Sequence, residues 1–196
     1  MNAIFRALLL SAVMGCACVT MAQSAGTNAA TSAYTADGRL QFPQQYRQWI
    51  YLTSGFDMSY SAGAAGAHHL FDNLFVNPAA YRAFQSTGTW PEGTVLVLEL
   101  RRASAHDSLN RQGAYQAADV VGVEVHTKDS ARFKGSWGFF SFGGADAHGA
   151  AKMLPLSADC YACHAAHGAV DSTFVQFYPT LLPIARSKGT LSASYR

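Results

Sequence analysis

Apolar and polar residues alternate most cleanly at 121–126, where Val121, Val123 and Val125 interleave with Gly122, Glu124 and His126. A spacing of two predicts a half-buried strand with the valines inward. Residues 94–100 are apolar almost throughout and predict a second strand. Residues 137–142 predict an aromatic strand closed by Gly143-Gly144, and 73–76 a shorter one. The period then changes: Asn77 reads as an N-cap, Pro78 as the first helical residue and Gly88 as the stop, with Tyr81 and Phe84 on one face. A second helix is expected at 160–164. A third follows Asp171, where Phe174, Phe177, Tyr178 and Leu181 form an apolar stripe kinked at Pro179. Strands gathered in the middle, with helices between and after them, give an α+β fold class. There is no internal repeat.

Composition narrows the setting. The 196 residues are 49% apolar and 13% charged, the balance of one globular domain. The formal charge is +2 and the densest basic spot is Arg101-Arg102, which excludes a nucleic-acid partner. Arg6, the apolar run at 7–20 and the small residues of Thr20-Met21-Ala22 read as an export signal, so residues 1–22 are expected to be cleaved and the protein to be periplasmic. The run is short for an uncleaved anchor. A lipoprotein signal at Val13-Met14-Gly15-Cys16 is a poor match, because Met14 is large where a small residue is usual. Residues 23–40, rich in Ala, Ser, Thr and Gly, read as a flexible leader, and 41–190 as the folded domain.

Cleavage would remove Cys16 and Cys18 and leave two cysteines, in Cys160-Tyr161-Ala162-Cys163-His164. The C-x-x-C-H pattern is the attachment site of one covalent haem c. The thiols add to the two vinyl groups of the porphyrin, and the next residue, His164, supplies an imidazole to the iron. A small disulfide, a thioredoxin-like pair and a zinc site are the competing readings. The first leaves the histidine without a role, the second needs a β-α-β setting, and zinc needs two more ligands, of which His167 offers at most one. The motif lies late and no methionine follows it, Met153 being the last. That is not the plan of an ordinary electron-transfer cytochrome.

Several stretches together resemble the cytochrome P-460 family, which includes the c′-beta cytochromes. They are Phe75-Val76-Asn77-Pro78, Thr89-Trp90-Pro91-Glu92-Gly93, Ser136-Trp137-Gly138-Phe139, the haem motif with His167-Gly168, and Phe174-Val175-Gln176-Phe177-Tyr178-Pro179. The resemblance spans about 46–182. It implies an antiparallel β-sheet with flanking helices, a homodimer, and a five-coordinate iron with an open distal side.

Members that oxidise hydroxylamine are similar in carrying a lysine cross-linked to the haem edge, on the strand after the Trp-Pro-Glu-Gly turn. Here that slot aligns with Leu98, and a distal arginine of those members falls near Asp72. The c′-beta branch, which lacks the cross-link and caps its distal face with apolar groups, is therefore closer. Leu98 is expected in the distal wall, with Phe71 as a second cap, and an apolar pocket favours neutral diatomics such as NO and CO. His68, His69, His106, His148, Met58 and Met153 are candidate sixth ligands, each read instead as surface histidine or core methionine. The expected function is binding of NO or a related small ligand, with weak peroxidase activity open to such an iron. Hydroxylamine or nitrogen-oxide oxidation, or electron transfer with a soluble redox partner, are the alternatives.

Overall fold

The computed structural model describes residues 32–59, 69–105, 109, 111–144 and 148–195. The export signal expected at 1–22 lies outside them. Five strands make one antiparallel sheet in chain order: β2 (Ile50–Phe56), β3 (Leu70–Val76), β4 (Val95–Ser104), β5 (Tyr115–Lys128) and β6 (Trp137–Ser141). A second, two-stranded sheet pairs β1 (Leu40–Gln41) with β7 (Ala150–Ala151). The helices are α1 (Pro78–Thr87), α2 (Asp159–His167) and α3 (Leu182–Lys188). The α+β class and the antiparallel sheet are as the sequence indicated, with the haem motif on a helix in the C-terminal part. Among the described residues no helix is long and apolar enough to cross a membrane.

The five-stranded sheet is covered on both faces, which explains why 94–100 shows no alternation. Leu96, Trp137 and Phe139 pack against Phe84 of α1, Ala185 of α3 and the segment Ala169, Val170, Val175 and Tyr178. Val95, Val97, Val123, Val125 and Phe140 pack on the other face with Leu40, Tyr46 and Phe133. Tyr34 and Leu40, which the sequence placed in a flexible leader, belong to this second layer: Leu40 is 2% exposed, and the half-buried Tyr34 meets Phe133 edge to face and Phe140 at a tilt. Burial of these two side chains overrides the small-residue composition around them.

Helix α1 begins at Pro78 and ends on Gly88 in the left-handed region (φ 76°), as read. Asn77 holds the N-cap position, as read, but its side chain makes no capping bond. That side chain instead accepts from the Val95 N–H (2.9 Å) and donates to the Gly93 carbonyl (3.1 Å), tying the helix start to β4. The expected third helix is broken rather than kinked. Residues Val175–Phe177 form one 3-10 turn, Tyr178 is extended (φ −103°, ψ 93°) because Pro179 disfavours helical backbone before it, and α3 starts afresh at Leu182.

Glu99, on the face of β4 opposite Leu98, is buried at 2% exposure. It accepts from the Tyr46 hydroxyl, from Arg101 and from Arg47 (2.6 and 2.8 Å). Burial raises its pKa, but hydrogen bonds from Arg101, Tyr46 and Arg47 outweigh that and hold it below the ordinary value near 4.5. The network therefore stabilises fully above that value and fades as pH falls through the lowered one. Glu99→Ala, which leaves Arg101 largely buried without its carboxylate, should cost about 2–3 kcal/mol at neutral pH. The cost should shrink in acid; urea midpoints at pH 7 and pH 3.5 check both.

Candidate functional site

Helix α2 has nine residues and little stability of its own. Tyr161 anchors it: its hydroxyl accepts from the Phe139 N–H (3.2 Å) and donates to the Leu154 carbonyl (3.4 Å), and its ring meets Phe139 edge-on at 4.3 Å. Cys160, Cys163 and His164 stand at i, i+3 and i+4, hence on one face. Both cysteines are free thiols, half-buried, and burial pushes the Cys160 thiol up.

The chain then folds back under the helix. Gly168 allows it: a Cβ there would sit 2.7 Å from the His164 carbonyl and from the Ser172 backbone. Val170 and Thr173 exchange backbone hydrogen bonds around a two-residue turn. Asp171 (φ 50°) and Ser172 (φ 56°) are both left-handed there, a conformation that costs a non-glycine residue about 1–2 kcal/mol. The Ser172 carbonyl accepts from His164 Nδ1 at 2.8 Å. A carbonyl only accepts, so Nδ1 carries the proton and Nε2 keeps its lone pair. Burial lowers the His164 pKa, which keeps the ring neutral.

His164 lines a cavity of about 220 Å³ between the sheet and this C-terminal segment. Thr173, Phe174, Phe177 and Tyr178 form its wall on the helix side. The sheet wall is Thr53 and Gly55 of β2, Asp72 and Leu74 of β3, Leu96 and Leu98 of β4, and Glu124 and His126 of β5, with Met58 at one side. Leu98 faces this cavity, with Leu74 and Glu124 its neighbours across the strands. Phe71 does not. Asp72 and Leu74 turn toward the cavity, so Phe71 falls on the opposite face, where it packs on Phe56 at 4.9 Å.

Two titratable cavity residues were missed by sequence reasoning. Glu124 and His126 were read as the outward, polar half of an alternating strand, yet that half faces the cavity. Burial lowers the His126 pKa well below its ordinary value, helped by nearby His164. Burial also raises the carboxyl pKa of Glu124, and of Asp72, where the Met58 N–H partly offsets it. The wall is therefore mixed, three leucines beside two carboxyls, rather than apolar throughout. Their sequence signal was present: an acid and a histidine two apart in an otherwise valine-rich strand.

The histidines and methionines proposed as sixth ligands distribute as follows. His69 pairs with Asp57 and stacks on Phe56, His148 meets Phe42 edge-on, and His68 and His106 lie outside the described residues. Met153 is 37% exposed beside β6. Met58 lines the cavity with its sulfur against β2, 2.4 Å from where a Gly55 Cβ would be. His167, weighed above as a zinc ligand, is exposed, and the partner of His164 Nδ1 is the Ser172 carbonyl.

Among the described residues no three His, Cys, Asp or Glu side chains gather as a cage for a bare metal ion. The donor set fits haem instead: one neutral imidazole with a free Nε2 and an oriented Nδ1–H, two thiols on the same helix face, and leucine and phenylalanine walls for a flat apolar ring. A comparison with curated proteins finds no match. Residues 43–175 match the family described as Cytochrome P460, and the chain belongs to that family of haem cytochromes.

Proposed function

We propose that this chain is an exported, mono-haem c-type cytochrome that binds NO or a related small neutral ligand. Cys160 and Cys163 would hold the haem by thioether bonds and His164 would ligate its iron. When bound, haem supplies an iron coordination position and one-electron chemistry. The chain's own residues do the rest. Ser172 fixes the imidazole's tautomer and angle. Leu74, Leu96 and Leu98 exclude water from the cavity, which favours weakly hydrated ligands over anions.

The observation that carries this reading is the His126–His164 contact. Their ring centres are 4.8 Å apart. Two imidazoles on opposite faces of one metal, each with a metal–nitrogen bond of about 2 Å, need centres about 6 Å apart. His126 is thus too close to serve opposite His164, and Met58 packs its sulfur over Gly55 on the cavity face of β2. Among the described residues no imidazole is therefore placed to pair with His164 across a haem, which supports a ligand position open to an external molecule. Absorption spectra of the matured protein, ferric, reduced, and reduced with CO or NO, test it. A high-spin reduced spectrum that shifts readily on ligand addition supports the reading. A low-spin spectrum indifferent to CO makes electron transfer the better answer.

A second reading, oxidation of hydroxylamine or another nitrogen oxide, is favoured by Glu124 and Asp72. Both place a half-buried carboxyl in the cavity, where burial raises its affinity for a ligand proton. Steady turnover with hydroxylamine and an electron acceptor, lost in Glu124→Gln, would favour it over ligand binding alone.

A further inference from the structure

The strained turn at Asp171 and Ser172 is held from outside. Lys128, at the end of β5, is only 14% exposed in its side chain and forms an ion pair with Asp171. Its ammonium also donates to the Trp90 carbonyl at 2.8 Å. The Trp90 indole N–H in turn donates to Thr173 Oγ1 at 2.8 Å, and that hydroxyl donates to the Val170 carbonyl at 2.6 Å. Both ends of the turn are thereby tied to one anchor, the Trp90 turn. Two consecutive left-handed L-residues relax when such ties are cut, because neither is glycine. The peptide that would swing is the one carrying the Ser172 carbonyl, the acceptor for His164.

We propose that Lys128 and Asp171 are positioning residues for the His164 imidazole, acting through the Ser172 carbonyl. This rests on the reading that His164 ligates haem iron. A ligating histidine whose other N–H is well bonded to an acceptor is a stronger donor to its metal, and the partner that holds the acceptor sets how strong. The ion pair stabilises the oxidised iron and strengthens the iron–histidine bond without touching either. Its effect is geometric: glycine at 171, which adopts positive φ without strain, removes that residue's share of the strain and leaves only Ser172's to be held.

The test uses the matured holoprotein as wild type, Lys128→Met, Lys128→Arg, Asp171→Asn and the double variant Lys128→Met/Asp171→Gly. The readouts are the iron–histidine stretching band of the reduced protein by resonance Raman and the reduction potential. Lys128→Met and Asp171→Asn should move the band to lower frequency and raise the potential. Lys128→Arg, which keeps the ion pair, should stay near wild type, and the double variant should return part of the way. Bands and potentials unchanged in Lys128→Met and Asp171→Asn overturn the proposal while leaving His164 as the ligand. Should Lys128→Met fail to fold, Asp171→Asn decides alone. A double variant as shifted as Lys128→Met overturns the geometric account. A wild type with no iron–histidine band overturns the ligand reading itself, and the proposal with it.

Discussion

The double variant Cys160→Ala/Cys163→Ala will give up essentially all of its haem to acid–acetone, where the wild type keeps it in the protein fraction. The two thiols stand one helical turn apart on α2, on the face that also carries His164. Two thioether bonds, as proposed, would make the cofactor part of the chain. Without them only the His164 imidazole and the apolar walls hold it, and both yield when acid protonates the imidazole and organic solvent dissolves the ring. Each single variant should keep haem through one remaining bond. The double variant should also melt differently. A dissociable group stabilises the fold in proportion to the logarithm of its free concentration, so its Tm should rise with added haem while that of the wild type does not. If both single variants keep the same doubly bonded haem as the wild type, the attachment proposal is wrong.

What the sequence made legible was local chemistry. The C-x-x-C-H pattern is complete within five residues, and α1 is bracketed by Pro78 and Gly88, whose backbone preferences need no tertiary partner. Leu98 was placed by its distance from the Trp-Pro-Glu-Gly turn, another short-range feature. Parity and facing were not legible. Whether position 71 or 72 faces the cavity depends on register against β4, where Leu74 pairs with Leu98 and Asp72 with Leu100. Phe71 was chosen because it is apolar, and the strand put Asp72 there instead. The same reasoning hid Glu124 and His126. Alternation reveals that a strand has two faces, but a sheet covered on both sides gives polar residues an interior to face. Strand β2 escaped notice because a bulge between Tyr51 and Thr53 interrupts its alternation. Ser172 was beyond reach for another reason: its contribution is a backbone carbonyl, which any residue type supplies.

Leu98→Lys should convert this cavity toward that of the cross-linked members that the sequence resembles. The side chain at 98 lines the cavity, and its neighbour on β5 is Glu124. A lysine there brings an amine into a site walled by Leu74 and Leu96, at a cost of about 1–3 kcal/mol that pairing with Glu124 partly offsets. The offset has a definite pH dependence. In the wild type burial raises the Glu124 pKa, so the carboxylate is less favoured than it is in water. Beside an ammonium the carboxylate is favoured instead, and the variant's pKa falls. Destabilisation by the lysine should therefore be largest in acid, where Glu124 carries its proton and the ammonium is buried alone, and smaller above the ordinary glutamate range. Thermal melts of variant and wild type at pH 4 and pH 7 read that difference. The chemical outcome is read separately, by mass spectrometry of haem peptides from matured protein treated with peroxide. A haem-bearing peptide containing residue 98 places the amine at the haem edge, and the Soret band of the reduced protein should move to the red. Peptides carrying only the two thioether links, together with the expected pH-dependent melts, would put the lysine in the cavity but away from the haem edge. The alignment of Leu98 with the cross-linking position would then fail even though its place in the wall holds.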